Sequence, residues 1–525
     1  MGVVMRLRRS RHRAPVSTRE VSIMVRHGLR DTVKAALLWS SLVVSTVVLA
    51  ELPAPLPGSV PSADAATSPS APSAAEVIPP AVLGLPELAV EKFTLPNGLE
   101  VILHEDKRTP QVTVNVWYHV GAFNEQPGKT GFAHLFEHLM FQGSAHVPPE
   151  KHFKFLEEAG ATFVNGSTDY DSTDYYQTVP RHEAELALWL EADRMGWLME
   201  SMGQSVLDEQ RGVVKNERRQ TTEASPYGLA REKLWQAVVP PSHPYHGMVI
   251  GSLADLDRAS IDDVRRFYDD YYAPANATLC IVGDFDAADM KKLVDKYFRS
   301  LPAWTRPDRR AVTPPIITAD VQVLYDEPVA ALPYVEMLWI VPGRGQPGEL
   351  DLEVLAHVLG DGIASKLQDA LLVQTEQAES VSVEMESLAN FSAFHIGVVV
   401  RPGVAAVDVL ETIQSQLDYL QEIPVQPEEV ARTKKLLQTE FLFSLQLGSG
   451  RANVLQEHNH YEGDPGAWVQ RMAALRAVTD ESVMAAMKTW LPKDHRGVLI
   501  ATPAIPKALM SAEAPKGSPP AEEQR

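Results

Sequence analysis

The stretch Gly131-Phe-Ala-His-Leu-Phe-Glu-His-Leu-Met-Phe141 places His134, Glu137 and His138 in one run with the apolar spacing of an amphipathic helix. Residues four apart lie one turn above each other on a helix, so the imidazoles of His134 and His138 can be directed at a common point. Such a point suits a metal ion. Glu137 follows His134 by three positions, which sets its carboxylate beside the same point, where it can hold a proton of a water molecule without being a ligand.

Two histidines are an incomplete set, because a catalytic zinc usually takes three protein ligands and leaves a fourth position for water. The best source of a third is the helix expected over Ser205–Ala224, where Arg211-Gly-Val-Val-Lys-Asn-Glu217-Arg presents a carboxylate one apolar ridge away from Val213 and Val214. A glutamate on a solvated helix face would look the same in isolation.

The elements that must position these groups follow from periodicity. Phe93-Thr-Leu, Pro96-Asn97-Gly98 and Leu99–His104 read as a hairpin, Asn97-Gly98 supplying the positive φ of a tight turn. Val112, Val114, Val116, Tyr118 and Val120 alternate with Thr113, Asn115, Trp117 and His119, the period of a sheet. After the motif helix the pattern gives a helix around Lys151–Ala159 and strands around Thr162–Ser167 and Thr173–Thr178. Long helices follow over Arg181–Glu200 and Ser205–Ala224, then a helix over Ile261–Tyr272, a buried strand over Ala277–Val282 and a helix over Ala287–Phe298. Pro302–Pro315 is a charged, proline-broken linker.

Beyond that linker a similar order recurs, with strands near Val321–Tyr325 and Tyr334–Ile340, helices near Leu350–Leu359 and Ser365–Leu372, two strands through Val400, then several helices. Pro492 stands 218 residues after Pro274 in matching surroundings, so the economical reading is an internal duplication. The same shift carries the motif onto Glu353-Val-Leu-Ala-His357-Val-Leu, which holds one histidine and no second ligand on that face. His357 is expected to be packed or at the surface, and the second half to lack a metal site.

The chain has 525 residues, enough for two or more domains, and a formal charge of −20. Residues 1–34 hold nine Arg or Lys against Glu20 and Asp31, which leaves about −27 for the remainder. So acidic a body repels nucleic acid. The apolar, uncharged run Ala35–Ala50 after the basic segment reads as an export signal, cleaved after Ala50 or Ala65; a start at Met24 would give it an ordinary short lead, and left uncut it would be a membrane anchor. The single cysteine, Cys280, lies in an apolar strand-like run and is expected to be a buried thiol.

Taken together, Gly131–Phe141, Arg211–Glu217, Ile250-Gly251, Tyr271-Tyr-Ala-Pro-Ala-Asn276 and Ile281-Val-Gly-Asp-Phe285 resemble the pitrilysin, insulinase and mitochondrial processing peptidase family of zinc endopeptidases, over nearly all of residues 90–505. The spacing His-x-x-Glu-His is that family's inverted form of the commoner zinc-protease helix. The resemblance implies an α+β fold of two homologous α/β roll domains related by internal duplication and joined by a linker. It implies one zinc ion per chain on His134, His138 and Glu217, with Glu137 as catalytic base. It also implies that Asn165, Gly166, Ser167 and Thr168 form the sheet edge that takes a peptide as an added strand, where the family commonly reads Asn-Ala-x-Thr. The domain plan expected is an export signal and basic leader over residues 1–65, a flexible Pro/Ala/Ser linker over 66–88 and a zinc-binding domain over 89–301. An interdomain linker over 302–320, a homologous domain without a metal site over 321–505 and a disordered tail over 506–525 complete it.

The sequence departs from the family in three places. A second glutamate usually stands seven residues before the third ligand and supports the site from behind; here that position is Gln210, with Glu209 beside it. Leu372 and Glu379 stand where the second half usually carries an arginine and a tyrosine that grip the substrate backbone. A complete zinc half joined to a second half without its grip suggests an enzyme acting on peptides with a homologous partner subunit, or as a homodimer, and the Ala35–Ala50 run suggests that it is exported to the periplasm. Two other readings are an assembly subunit of the same family without proteolysis, and a zinc-stabilised peptide-binding protein without turnover.

Overall fold

The computed structural model of the chain describes residues 79–303 and 305–504. The export segment expected over 1–65, the linker as far as residue 78 and the tail expected over 506–525 lie outside these residues.

The first half begins with the strands Glu91–Thr94 (β1), Glu100–Glu105 (β2) and Gln111–Tyr118 (β3). The helices Phe132–Leu139 (α1) and Lys151–Glu158 (α2) lead to the strands Thr162–Thr168 (β4) and Thr173–Pro180 (β5). Five helices come next: Ala184–Ser201 (α3), Gln204–Arg218 (α4), Gly228–Val238 (α5), Leu253–Arg258 (α6) and Ile261–Tyr271 (α7). Strand Ala277–Gly283 (β6) and helix Ala287–Phe298 (α8) close this half.

The second half has strands Val321–Glu327 (β7) and Tyr334–Pro342 (β8), helices Glu349–Gly360 (α9) and Lys366–Gln368 (α10), and strands Ala378–Glu386 (β9) and Phe391–Val400 (β10). It ends with helices Ala406–Glu422 (α11), Pro427–Ser444 (α12), Gly448–Glu462 (α13), Trp468–Ala477 (α14) and Asp480–Trp490 (α15), and strand Gly497–Pro503 (β11).

The first sheet has the order β1-β2-β6-β3-β5-β4 and the second β7-β11-β8-β10-β9. Within each, one pair is parallel, β2 with β6 and β7 with β11, and the others are antiparallel. The order β2-β6-β3-β5-β4 therefore repeats strand for strand, with α1 answering to α9 and α4 to α12. The chain is α+β and duplicated.

One face of the first sheet, with Val112, Val114, Val116 and Tyr118, packs under α1, α3, α7 and α8 through Leu135, Phe136, Leu188, Val264 and Phe298. Strict alternation leaves Thr113, Asn115 and His119 on the opposite face. These polar residues do not face water, because α13 of the second half lies across them. Asn115 donates to Asn453 at 2.8 Å, and Gln456 donates to the Asn115 and Thr278 carbonyls at 2.9 and 2.8 Å. Ala452 and Leu455 cover Ile102, Cys280 and Val282.

The exchange is reciprocal. Helix α5 of the first half, which periodicity did not single out, buries Ala230, Leu234, Trp235 and Val238 against Tyr334, Leu338, Leu499 and Ala501 of the second sheet. Each half thus covers the outer sheet face of the other, and the two helices hold corresponding places in the duplication.

Two stretches expected to be linkers are in part docked. Pro80–Leu83 forms a helical turn whose Leu83 carbonyl accepts from Arg476, and Leu85 is buried. Arg309 pairs with Asp171, and Ile317 is buried. The apolar and charged residues scattered in these segments find partners only in the folded chain.

Candidate metal centre and active site

Helix α1 is only eight residues long, so its N-terminal N–H groups have to be satisfied from outside. Glu125 does this: its buried carboxylate accepts from the Gly131 N–H at 3.0 Å and the Ala133 N–H at 2.9 Å. Burial pushes the Glu125 carboxyl up to about 8 against the pull of those N–H groups. The site reading above missed this residue, which stands six positions ahead of Gly131 and outside the N-cap and first turn where such signals are read. Gly131 has a φ of 88°, and a Cβ there would lie 2.8 Å from the Gly251 Cα, so the Gly131 and Gly251 backbones seat the helix start by close approach.

Helix α4 buries Leu207, Gln210, Val214 and Arg218 along one face, which directs Glu217 toward α1. Arg218 fixes the C-terminal end by donating to the Gly251 carbonyl at 2.7 Å and pairing with Glu232 at 2.8 Å. The third ligand candidate is therefore held through its neighbour in the chain.

The result is a convergence of His134, His138 and Glu217, whose ligand-type atoms all lie within 4.8 Å of one another. Glu217 Oε2 is 3.3 Å from His138 Nε2 and 3.8 Å from His134 Nε2. Atoms bound tetrahedrally to one zinc ion at about 2.0–2.1 Å lie about 3.3 Å apart, so this donor set fits a zinc ion after small side-chain adjustments. The His134 side chain is 12% exposed, that of His138 22% and that of Glu217 37%, so the cluster opens to solvent on the Glu217 side.

The ionisation states of His134 and Glu217 agree with that fit, and His138 would give up a proton on binding the ion. Burial lowers the pKa of His134 to about 4 despite the Glu217 charge, so the imidazole is neutral as a ligand must be. Burial raises Glu217, but the hydrogen bond with His138 and the two imidazoles outweigh it and hold the carboxyl below its usual value. His138 moves up overall, because Glu217, Glu137 and Gln210 outweigh its burial. Gln210 is buried beside His138, whereas Glu209 is exposed, so of the two residues expected behind the ligands only Gln210 reaches them.

Glu137 lies beside the cluster, and Thr168 donates to its Oε2 at 2.7 Å. Burial raises Glu137 to about 7, with the Thr168 hydrogen bond pulling the other way. Gly166 is the close neighbour: a Cβ there would meet Glu137 Cγ at 2.9 Å, so the strand passes directly over the Glu137 side chain, which would have to shift for a larger residue. Ser167 turns to the Asp174 carboxylate at 2.5 Å and Asn165 to Tyr176. Of the four edge residues, Gly166 and Thr168 touch Glu137, while Asn165 and Ser167 face β5.

In the second half His357 pairs with Asp361. Leu372 lies half-buried in the turn after α10, and Glu379 is exposed on β9, paired with Arg401 at 3.5 Å.

Residues 100–239 match the family model described as insulinase, peptidase family M16, and residues 258–437 match the peptidase M16 inactive domain. The chain is 28% identical to the zinc protease PqqE of Helicobacter pylori over 70% of this chain and 83% of that protein. It is 23% identical to an uncharacterised zinc protease of Streptomyces coelicolor over 76% and 86%. Among solved structures, a protease from Helicobacter pylori aligns with a TM-score of 0.74 at 24% identity, over 79% of this chain and all of that one. The first half of the periplasmic protease PqqL from Escherichia coli aligns with a TM-score of 0.64 at 17% identity, over 78% and 91%. With both halves matched by models of one family, and that family's fold repeated in each half, the chain belongs to the insulinase family, peptidase family M16.

Proposed function

We propose that this chain is a zinc-dependent endopeptidase acting on peptides or small unfolded polypeptides, with His134, His138 and Glu217 holding one zinc ion per chain and Glu137 as general base. The observation that carries the reading is a carboxylate tied to the open edge of a sheet beside three convergent ligand atoms: Thr168, the last residue of β4, binds Glu137, next to the cluster spanning 4.8 Å. Bound there, zinc would supply Lewis-acid activation of water and of the peptide carbonyl.

The chain's own groups do the rest. Strand β4 is the outer strand of its sheet, so its unpaired backbone groups can take an extended peptide as a further strand along Asn165–Thr168. Gly166 lets that strand pass over Glu137, which brings a scissile bond to the carboxylate. Glu137, anchored at Oε2, takes a proton from the attacking water and gives it to the leaving amine. Gln210 holds His138 in orientation from behind.

The reading includes a partner. Leu372 and Glu379 cannot grip a peptide as arginine and tyrosine would, which supports a homologous subunit, or a second copy, completing the site. The fold of this chain accounts for 51% of the length of PqqL, an observation in keeping with a second pair of halves supplied by another chain. Export to the periplasm is supported by the Ala35–Ala50 run and by the periplasmic location in the name of PqqL. Among the described residues no helix is long and apolar enough to cross a membrane.

The test is cleavage of a mixed peptide library at neutral pH by the chain alone and with a co-expressed homologue, with and without chelator, comparing wild type with Glu137→Gln. Chelator-sensitive cleavage that the variant loses is the expected result, and dependence on the homologue supports the partner. Bound zinc without cleavage in any combination would favour the binding or assembly reading.

A further inference from the structure

Strand β4 departs from regular pairing at one place. Thr162 pairs with Thr178 and Asn165 with Tyr176, so β4 uses one residue more than β5 between these rungs. The extra residue forms a bulge, and Phe163 within it has a φ of 55°. A left-handed backbone is disfavoured for a residue with a bulky side chain. The same phenylalanine is 62% exposed. Neither the strained backbone nor the exposed ring is offset by burial in the folded chain, which is the pattern of a residue kept for what it contacts. A bulge on an edge strand also discourages sheet-to-sheet association, but that task needs no aromatic ring.

The position decides what the ring can contact. Phe163 precedes Gly166, the residue against Glu137, by three positions, about 10 Å along a strand. A peptide paired with Asn165–Thr168 would lose its regular ladder at the bulge, where the exposed Phe163 ring is within reach of its next side chains.

We propose that Phe163 is a specificity-determining residue whose ring contacts a large apolar side chain of the peptide, about two to three residues from the scissile bond. The proposal rests on the proteolytic reading above. Phenylalanine offers only apolar surface, so the contact favours aromatic and aliphatic side chains over small polar ones.

The test compares wild type, Phe163→Ser and Phe163→Gly on a position-scanned peptide library, in the presence of any homologue that activity requires. Both variants remove the ring, and glycine also accepts the positive φ without strain. The readout is the ratio of kcat/KM for peptides with Phe or Leu to peptides with Ser at each position. In wild type one position near the cleaved bond is expected to show a ratio of roughly ten, falling to near one in both variants. Melting curves check that all three proteins are folded, with Phe163→Gly expected to melt highest.

Wild-type cleavage without that apolar preference, or a preference that both variants keep, overturns the proposal and leaves the proteolytic reading standing. If wild type cleaves nothing, that reading falls, and the same peptides carrying a fluorophore are titrated against wild type and Phe163→Ser. A loss of affinity confined to the apolar peptides then supports the contact, and equal affinities overturn it.

Discussion

Thr168 donates to Glu137 Oε2 at 2.7 Å, tying the outer strand of the first sheet to the helix that carries both histidines. The bond holds the carboxylate toward the strand on which a peptide would lie. Thr168→Val keeps the shape of the side chain and removes the donor. It is expected to lower kcat roughly ten-fold to a hundred-fold, the worth of one hydrogen bond to a charged group. Glu137→Gln is expected to lower it roughly 10²–10⁴-fold. Zinc content, measured by atomic spectroscopy, should stay at one per chain in both; loss of metal from either would make the defect one of assembly rather than proton transfer.

Glu217 gives the cluster its negative charge. Without it, two imidazoles on one helix remain, and His138 loses the partner that raises its pKa. Glu217→Ala should bring zinc stoichiometry well below one after dialysis against a weak chelator, with the thermal midpoint of the chelator-treated protein little changed. An unchanged zinc content would remove Glu217 from the ligand set.

The cluster was legible in the sequence because a helix converts spacing into geometry: the four-position step from His134 to His138 fixes their relation whatever surrounds them. Glu217 was less so. Its place depends on how α4 lies against α1, and Leu207, Gln210 and Val214, which set that, could as well have packed elsewhere. The interlocking of the halves was not legible at all. The alternation placed Thr113, Asn115 and His119 on one face without saying what covers it, and α13, from more than 300 positions away, makes that face interior. The bulge at Phe163 was equally hidden, since one extra residue in a strand leaves no mark until its partner strand is known.

Glu125 accepts two N–H groups at the start of α1, whose N-cap, Gly131, has no side chain to do so. Glu125→Ala leaves these donors buried and unpaired, at a cost of about 1–3 kcal/mol. The check is a urea titration of the zinc-free protein, in which the midpoint should fall. Zinc affinity should fall with it, because the frayed turn carries His134.

The interlock makes a separate demand on β11. A Cβ at Gly497 would come within 2.8 Å of Leu234 and of Val238, both on the helix that the first half lays on the second sheet. Gly497→Val should therefore destabilise the chain by about 1–3 kcal/mol through overpacking. Calorimetry should show the whole cooperative transition moving down rather than one half separating from the other. Two resolved transitions in the variant would mean that the halves are held together by something other than this contact.

His119 and His460 meet where α13 crosses the first sheet, their Nδ1 atoms 2.6 Å apart and their rings stacked. Burial lowers His119 to about 3, with Arg306 and Lys92 adding to the effect, and His460 is driven well down by burial and by His119, Arg309, Arg306 and Arg344. A histidine whose pKa is depressed on folding binds fewer protons in the folded state than in the unfolded one. Its contribution is whole above the unfolded value near 6.5 and is lost as pH falls below that value. At pH 5 the loss from His119 should be about 1–2 kcal/mol. His119→Gln keeps a hydrogen-bonding group toward His460 and Thr278 but cannot be protonated. Melting curves of the zinc-free proteins between pH 8 and 5, with chelator to remove the metal's own pH dependence, should fall less steeply for the variant than for wild type. Parallel curves would mean that the pair admits protons in the folded state, and that α13 lies less tightly on the sheet than these distances require.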